Sequence, residues 1–146
     1  MLDAPKSALK HSELTEKIIG SFFSVYNELG PGFLESVYQR SMIVALGETG
    51  LRADPETPIQ VWFHGQAVGD FRADIIVEVT VLLEIKTARQ IDSSHEAQVL
   101  HYLRATQFEV GLLLNFGPKA QFRRYILENE RKKSAESAKS AVSSQA

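Results

Sequence analysis

The amino-acid sequence predicts an α/β fold, a mixed central sheet of four to five strands flanked by helices. Three features predict it. Two segments with apolar residues at three- and four-residue spacing come first. Three short apolar runs then follow one another with only tight reversals between them, which suggests an antiparallel meander. Finally, a helical segment precedes a continuous apolar run, and a crossover helix lets that last strand join parallel to a neighbour.

Residues 1–11 read as a frayed N-terminus, and the folded domain is placed at 12–127. Ser12 is the predicted N-cap of a helix running to about Leu29. Leu14, Ile18, Phe22, Val25 and Leu29 give that helix one buried stripe. Gly30-Pro31-Gly32 stops it. A second helix is predicted from about Phe33 to Glu48, with Leu34, Val37, Tyr38, Met42, Ala45 and Leu46 as its apolar face and Gly50 as C-cap. Arg52 to Thr57 reads as polar, irregular chain. Ile59 to Phe63 is a short strand closed by His64-Gly65-Gln66, and Phe71 to Lys86 holds two apolar strands with a reversal between them. Thr87 to Asp92 leads to a third helix capped by Ser93 or Ser94. Val110 to Leu114 is a continuous apolar strand bounded by Asn115-Phe116-Gly117-Pro118, and Phe122 to Leu127 adds a last one. Residues 128–146, rich in Ser, Ala and Lys, read as a disordered polar tail.

The 146 residues are 44% hydrophobic and 23% charged, which suits one core in one domain. With no cysteine, disulfides and thiolate metal sites are excluded. No run of about 18 apolar residues exists, so no membrane span is predicted. Nothing near the start resembles a secretory leader, so the cytoplasm is the default compartment. The net charge is −2; the tail from Glu128 carries +1, which leaves −3 for the rest. That argues against non-specific binding to nucleic acid through a basic surface. It does not argue against a site whose acids hold a cation. No heptad or apolar stripe announces an oligomer interface, and a homodimer that handles a duplex stays open.

The hairpin carries the odd feature. Asp74 sits in its first strand and Glu84 in its second, each in a mostly apolar run, with Lys86 two residues beyond Glu84. Charges in buried strands are costly unless paired or bound to metal. Glu84 and Lys86 share a face because side chains alternate. Whether Asp74 joins them depends on the turn. A two-residue loop at Glu78-Val79 puts Asp74 opposite Leu83, pointing away. A three-residue loop, Glu78-Val79-Thr80, puts Asp74 opposite Glu84, Ile76 opposite Leu82 and Arg72 opposite Lys86. The odd loop is the predicted one, and it leaves Ala73, Ile75, Val77, Val81, Leu83 and Ile85 on the other face. Two opposed carboxylates repel each other without a cation, and a hard divalent ion with oxygen ligands, Mg²⁺ or Mn²⁺, resolves that. Lys86 beside them suits orienting a water or stabilising charge on a phosphate. Spacing alone also allows a buried ion pair of Lys86 with Glu84 or Asp74 and no chemistry.

Asp74 followed by Glu84-Ile85-Lys86 after an apolar run resembles the PD-(D/E)XK nuclease superfamily, with Ala73 where the usual proline stands. Gln98-Val99-Leu100-His101-Tyr102 resembles the QxxxY motif of its recombination-type exonuclease branch. Gly32-Phe33-Leu34-Glu35-Ser36-Val37-Tyr38 matches the GxxExxY motif of a family of small bacterial and archaeal proteins in that superfamily. The resemblance extends from about Leu14 to Arg124 and includes His95-Glu96-Ala97-Gln98 and Asn115-Phe116-Gly117. It implies a restriction-endonuclease-like core and a metal-dependent nuclease acting on DNA or RNA. By that resemblance Asp74, Glu84 and the backbone carbonyl of Ile85 ligate Mg²⁺ or Mn²⁺, and Glu35 adds a ligand or holds a metal-bound water. Lys86 positions the attacking water; Gln98 and Tyr102 order the site and contact a phosphate or the lysine. Blander roles stand beside these: Glu35 as a helix-start acid, Gln98 as a partner of the backbone, and Tyr102 as core. For His95 the readings are a helix cap, a contact to phosphate or a surface residue, and for Arg123 and Arg124 a contact to nucleic-acid backbone or a solvated edge strand. The alternative function is a catalytically idle nuclease-fold module that binds or regulates.

Overall fold

The structure is a computed structural model that describes residues 11–132; the expectations for residues 1–10 and 133–146 lie outside the described residues. Two helices, α1 (Ser12–Leu29) and α2 (Glu35–Glu48), precede strands β1 (Ala53–Phe63), β2 (Gln66–Val77) and β3 (Val81–Lys86). Helix α3 (Ser93–Arg104) then leads to β4 (Val110–Phe116) and β5 (Ala120–Ile126). The five strands stand in the order β1-β2-β3-β4-β5. The first three form the expected antiparallel meander, β4 joins β3 in parallel after the α3 crossover, and β5 returns antiparallel. The fold is the predicted α/β mixed sheet, with helices on both faces. None of the described helices is long and apolar enough to cross a membrane.

Period decides which face each helix covers. The stripe of Ile18, Phe22 and Val25 on α1, with Tyr38, Met42 and Leu46 on α2, meets Ile75, Val77, Val81, Leu83 and Ile85 from the sheet. Alternate residues Ile76, Leu82 and Leu113 face the other way and meet Val99, Tyr102 and Leu103 of α3. Each fully buried Leu, Ile or Phe contributes about 1.5–3 kcal/mol. An aromatic cluster sits where α1 and α2 meet the end of β4. The Tyr38 ring stacks on Phe116 with centroids 4.3 Å apart, and Phe22 meets Phe116 edge-on at 4.8 Å.

Several element boundaries differ from expectation. Arg52 to Thr57 is not irregular, because β1 begins at Ala53 and contains both Pro55 and Pro58. It is an edge strand, where a missing N–H can face away from the ladder. Strand β2 begins at Gln66, so β1 and β2 make a long hairpin. Helix α1 starts at Ser12, but His11 is its N-cap residue. Helix α2 starts at Glu35, after a loop that Gly32 holds at φ 111°. The cap of α3 is Asp92, not Ser93 or Ser94: its carboxylate accepts the N–H of Ser94 and of His95, and the His95 ring accepts the N–H of Asp92 in return. Described structure also continues past Leu127. Asn129–Arg131 form a turn of 3₁₀ helix, and the buried Lys132 ammonium donates to the carbonyls of Thr106 and Phe108 beyond the end of α3.

The hairpin register is the odd one. Ile75 opposes Leu83, Ile76 opposes Leu82, and Val77 opposes Val81 across a Glu78-Val79-Thr80 reversal. Glu78 and Val79 both take positive φ, and Thr80 N–H closes the turn on the Val77 carbonyl. The ladder stops at Ile75, however, so the expected pairing of Arg72 with Lys86 does not form. Strand β2 also loses step at this point. Ala73 packs with Ile59 on the α3 side, whereas Ile75 packs on the α1–α2 side, so Ala73 is not on the face predicted for it. The β1 residue facing the break, Glu56, takes φ 51° and drops out of the β1–β2 ladder together with Asp74. An irregularity of this kind re-aims a side chain, and here the side chain is that of Asp74.

Candidate active site

Strand β2 leaves β3 just beyond Ile75, and the opening is bridged by two carboxylates. Asp74 N–H donates to Glu84 Oε2 at 3.1 Å, and Ile85 N–H donates to Asp74 Oδ2 at 2.7 Å. Each acid thus takes up a backbone donor of the opposite strand, a charge-assisted bond where a ladder bond would have been. The carbonyl of Asp74 accepts the Gln39 amide of α2 at 2.8 Å, and the same amide nitrogen donates to Glu56 Oε2 at 2.7 Å. Local loss of sheet pairing therefore creates the site, and side chains from α2, β1 and β3 satisfy the backbone that pairing gave up.

The electrostatics are those of a site short of positive charge. Glu84 is 2% exposed. Burial, and then the neighbouring Asp74 charge, push its pKa up to about 8. Asp74 is also raised, chiefly by burial; the Ile85 N–H and Lys86 pull it down, while Glu35 and Glu56 push it up. Lys86 acts on both acids from a distance, but among the described residues it makes no salt bridge with either. The simple buried ion pair allowed by the spacing is not formed. A hard cation fits this donor set, since oxygen ligands and excess negative charge are what Mg²⁺ and Mn²⁺ select. Among the described residues no three His, Asp or Glu side chains gather tightly enough to form a metal cage. Glu35 affects both acids electrostatically but is itself exposed.

The loop before α2 explains the other letters around Glu35. Tyr38, buried on α2, donates its hydroxyl hydrogen to the Gly30 carbonyl at 2.5 Å and accepts Phe33 N–H at 3.2 Å. Gly32 supplies the positive φ that this closure needs. Gly32 and Tyr38 thus shape the segment that presents Glu35.

On the α3 side, Gln98 Nε2 donates to the Tyr102 hydroxyl at 3.2 Å, one helical turn away, and both residues line a groove with Lys86. Burial, and then the Glu84 charge, raise the Tyr102 pKa, which keeps the phenol a proton donor. Lys86, Gln98 and Tyr102 therefore line one groove, while Asp74 and Glu84 lie close enough to act electrostatically on Tyr102, and Glu35 close enough to act on both acids. Arg123 and Arg124 lie elsewhere on β5. The Arg123 guanidinium lies 4.0 Å from Glu96, whose carboxylate also accepts the Tyr125 hydroxyl at 2.7 Å.

Three residues around the site escaped the sequence reading. Gln39 adjoins the GxxExxY stretch, and Glu56 lies in a segment whose polar, proline-containing sequence predicts irregular chain. Asn115 stood within a noted motif without a role. Its buried amide accepts Ala88 N–H at 2.8 Å and donates to the Ala88 carbonyl at 2.9 Å. That clasps the loop running from Lys86 to α3. Gly117 leaves room for the loop, since a Cβ there would lie 2.1 Å from the Ala88 carbonyl oxygen.

Paired acids where a central sheet opens, a lysine two residues after the second, and helices on both faces define a nuclease-like architecture. A family model for the PD-(D/E)XK nuclease superfamily matches residues 12–125. The chain belongs to that superfamily. No curated protein matches it. Among solved structures, the crystal structure of SSO0001 is 20% identical, with 97% of this chain and 72% of that one covered and a TM-score of 0.51. Hjc of Archaeoglobus fulgidus, a Holliday junction resolvase from an archaeal hyperthermophile, is 16% identical, with 70% of this chain and 98% of that one covered and a TM-score of 0.39. The likeness to SSO0001 is one of fold.

Proposed function

We propose that the protein is a divalent-metal-dependent nuclease of the GxxExxY branch, hydrolysing phosphodiester bonds of DNA or RNA. One observation carries the reading: Asp74 and Glu84 interlock where β2 leaves β3, with Glu84 buried and short of positive charge. In this reading Asp74, Glu84 and the Ile85 carbonyl would hold Mg²⁺ or Mn²⁺ through their oxygens. The ion supplies Lewis acidity at the phosphate and an acidified water. Lys86, unpaired with either acid, orients the attacking water and offsets charge on the phosphate. Glu35, exposed at the mouth, holds an outer water. Tyr102 donates its hydroxyl to a phosphate oxygen, kept in place by Gln98.

The test combines calorimetry of Mg²⁺ and Mn²⁺ with cleavage of single- and double-stranded DNA and RNA, for wild type and Lys86→Ala. The expected result is metal binding by both proteins and cleavage by wild type alone, with the variant's thermal unfolding unchanged. Metal binding without cleavage of any substrate would leave an idle nuclease-fold module. No metal binding would remove the metal site from the account.

A further inference from the structure

Beside the acids, a groove of about 490 Å³ lies between α3 and the sheet, where Phe71 of β2 and Lys86 at the end of β3 form its wall. Its α3 wall follows the helical repeat: Ala97 and His101 lie one turn apart, and Gln98 and Tyr102 form the adjoining stripe. Phe71 of β2 completes the wall, its ring edge-on to the exposed His101 ring with centroids 4.8 Å apart. The opposite face of α3 is buried through Val99 and Leu103, so this wall is fixed to the core.

The lining has two chemistries. Flat rings come from Phe71 and His101. Donors to an anion come from Lys86, from the Tyr102 hydroxyl and from His95. The His95 assignment follows from the helix cap: Nδ1 accepts Asp92 N–H at 3.0 Å, so in the neutral ring the proton sits on Nε2 as a donor. No aliphatic side chain longer than Ala97 lines the groove, which suits it poorly to an apolar helix of a partner protein. A phosphate joined to a flat base matches both chemistries. In a duplex the bases are stacked away from such a wall, whereas a single strand can turn a base onto it.

We propose that this groove is a nucleotide subsite: it takes one unstacked base against His101 and Phe71, with the adjoining phosphate on Lys86 and the Nε2–H of His95. The inference deepens the nuclease reading and rests on it for the place of Lys86. It makes single-stranded nucleic acid the preferred substrate form.

Fluorescence anisotropy of the full chain with Ca²⁺ in place of Mg²⁺ tests it, using a labelled 12-nucleotide single strand, its duplex, and an abasic strand of equal length. Wild type is expected to bind the single strand at least ~10-fold more tightly than the abasic strand or the duplex, the gain that one base–aromatic stack provides. His101→Ala is expected to lose that preference while binding the abasic strand as before, and Leu100→Ala, exposed elsewhere on α3, to keep it. Equal binding of normal and abasic strands by wild type, or an unchanged preference in His101→Ala, overturns the subsite. Failure of the nuclease reading shows separately, as absence of Mg²⁺-dependent cleavage while the base preference persists.

Discussion

Replacing Glu84 by Gln should stabilise the metal-free protein at neutral pH. In the fold the carboxyl is 2% exposed and lies beside Asp74, and its pKa is pushed to about 8 from an ordinary 4.5. Because the folded value is the higher one, the favourable contribution of this group is whole below about pH 4.5. It is lost as pH rises towards 8. Each tenfold difference in proton affinity is worth about 1.4 kcal/mol, so at pH 7 the ionisable side chain costs the metal-free fold about 3 kcal/mol. The amide of Gln keeps an acceptor for the Asp74 N–H and cannot ionise. In EDTA at pH 7, Glu84→Gln is expected to melt higher by roughly 10 °C, with the gap closing as pH falls towards 5. With Mg²⁺ the order reverses once the ion exceeds its Kd by roughly 200-fold, because wild type gains about 1.4 kcal/mol for each tenfold excess and the variant gains little. Circular-dichroism melts from pH 5 to 8.5, in EDTA and in Mg²⁺, read all of this. A variant that melts at or below wild type in EDTA, with a parallel pH profile, would show that the buried Glu84 carboxyl does not destabilise the metal-free fold.

Three further outcomes follow from the surroundings of the acids. Gln39→Leu removes the donor to the Asp74 carbonyl, so it should cost about 1–3 kcal/mol in urea unfolding. It should also weaken Mg²⁺ binding by calorimetry about tenfold, the usual cost of losing an outer partner of a metal ligand. Asn115→Ala frees the Ala88 clasp, with an expected loss of about 2 kcal/mol and faster hydrogen exchange in residues 87–92. Val79→Gly relieves a β-branched residue at φ 51° that is 61% exposed and so has little packing to lose; a gain of about 1 kcal/mol in chemical denaturation is expected.

Much of the fold was legible because it rests on period and order. The α1 stripe, the apolar runs of β3 and β4, and the helix between them each state their own geometry locally. The side-chain alternation that puts Glu84 and Lys86 on one face needs only a strand. The odd register of Glu78-Val79-Thr80 was within reach of the same reasoning, because a shift of one residue would have scattered the charges.

What the chain could not show locally is where pairing stops. The β2–β3 ladder ends at Ile75 because Asp74 and Glu84 capture each other's strands through side-chain bonds, and Gln39 and Glu56 become partners only when α2 and β1 are laid against that break. Asp92 displaced Ser93 and Ser94 as the cap by a choice among neighbours that composition leaves nearly even. Lys132 joined the fold because carbonyls beyond the end of α3 needed a donor. Local pattern sufficed for the helices, for the apolar strands and their order, and for placing Glu84 and Lys86 on one face, since each depends on residues close in the chain. The tertiary structure alone decided the gap between β2 and β3, the burial that raises Glu84, and the groove beside Lys86. Those depend on residues tens of positions apart meeting where backbone pairing fails.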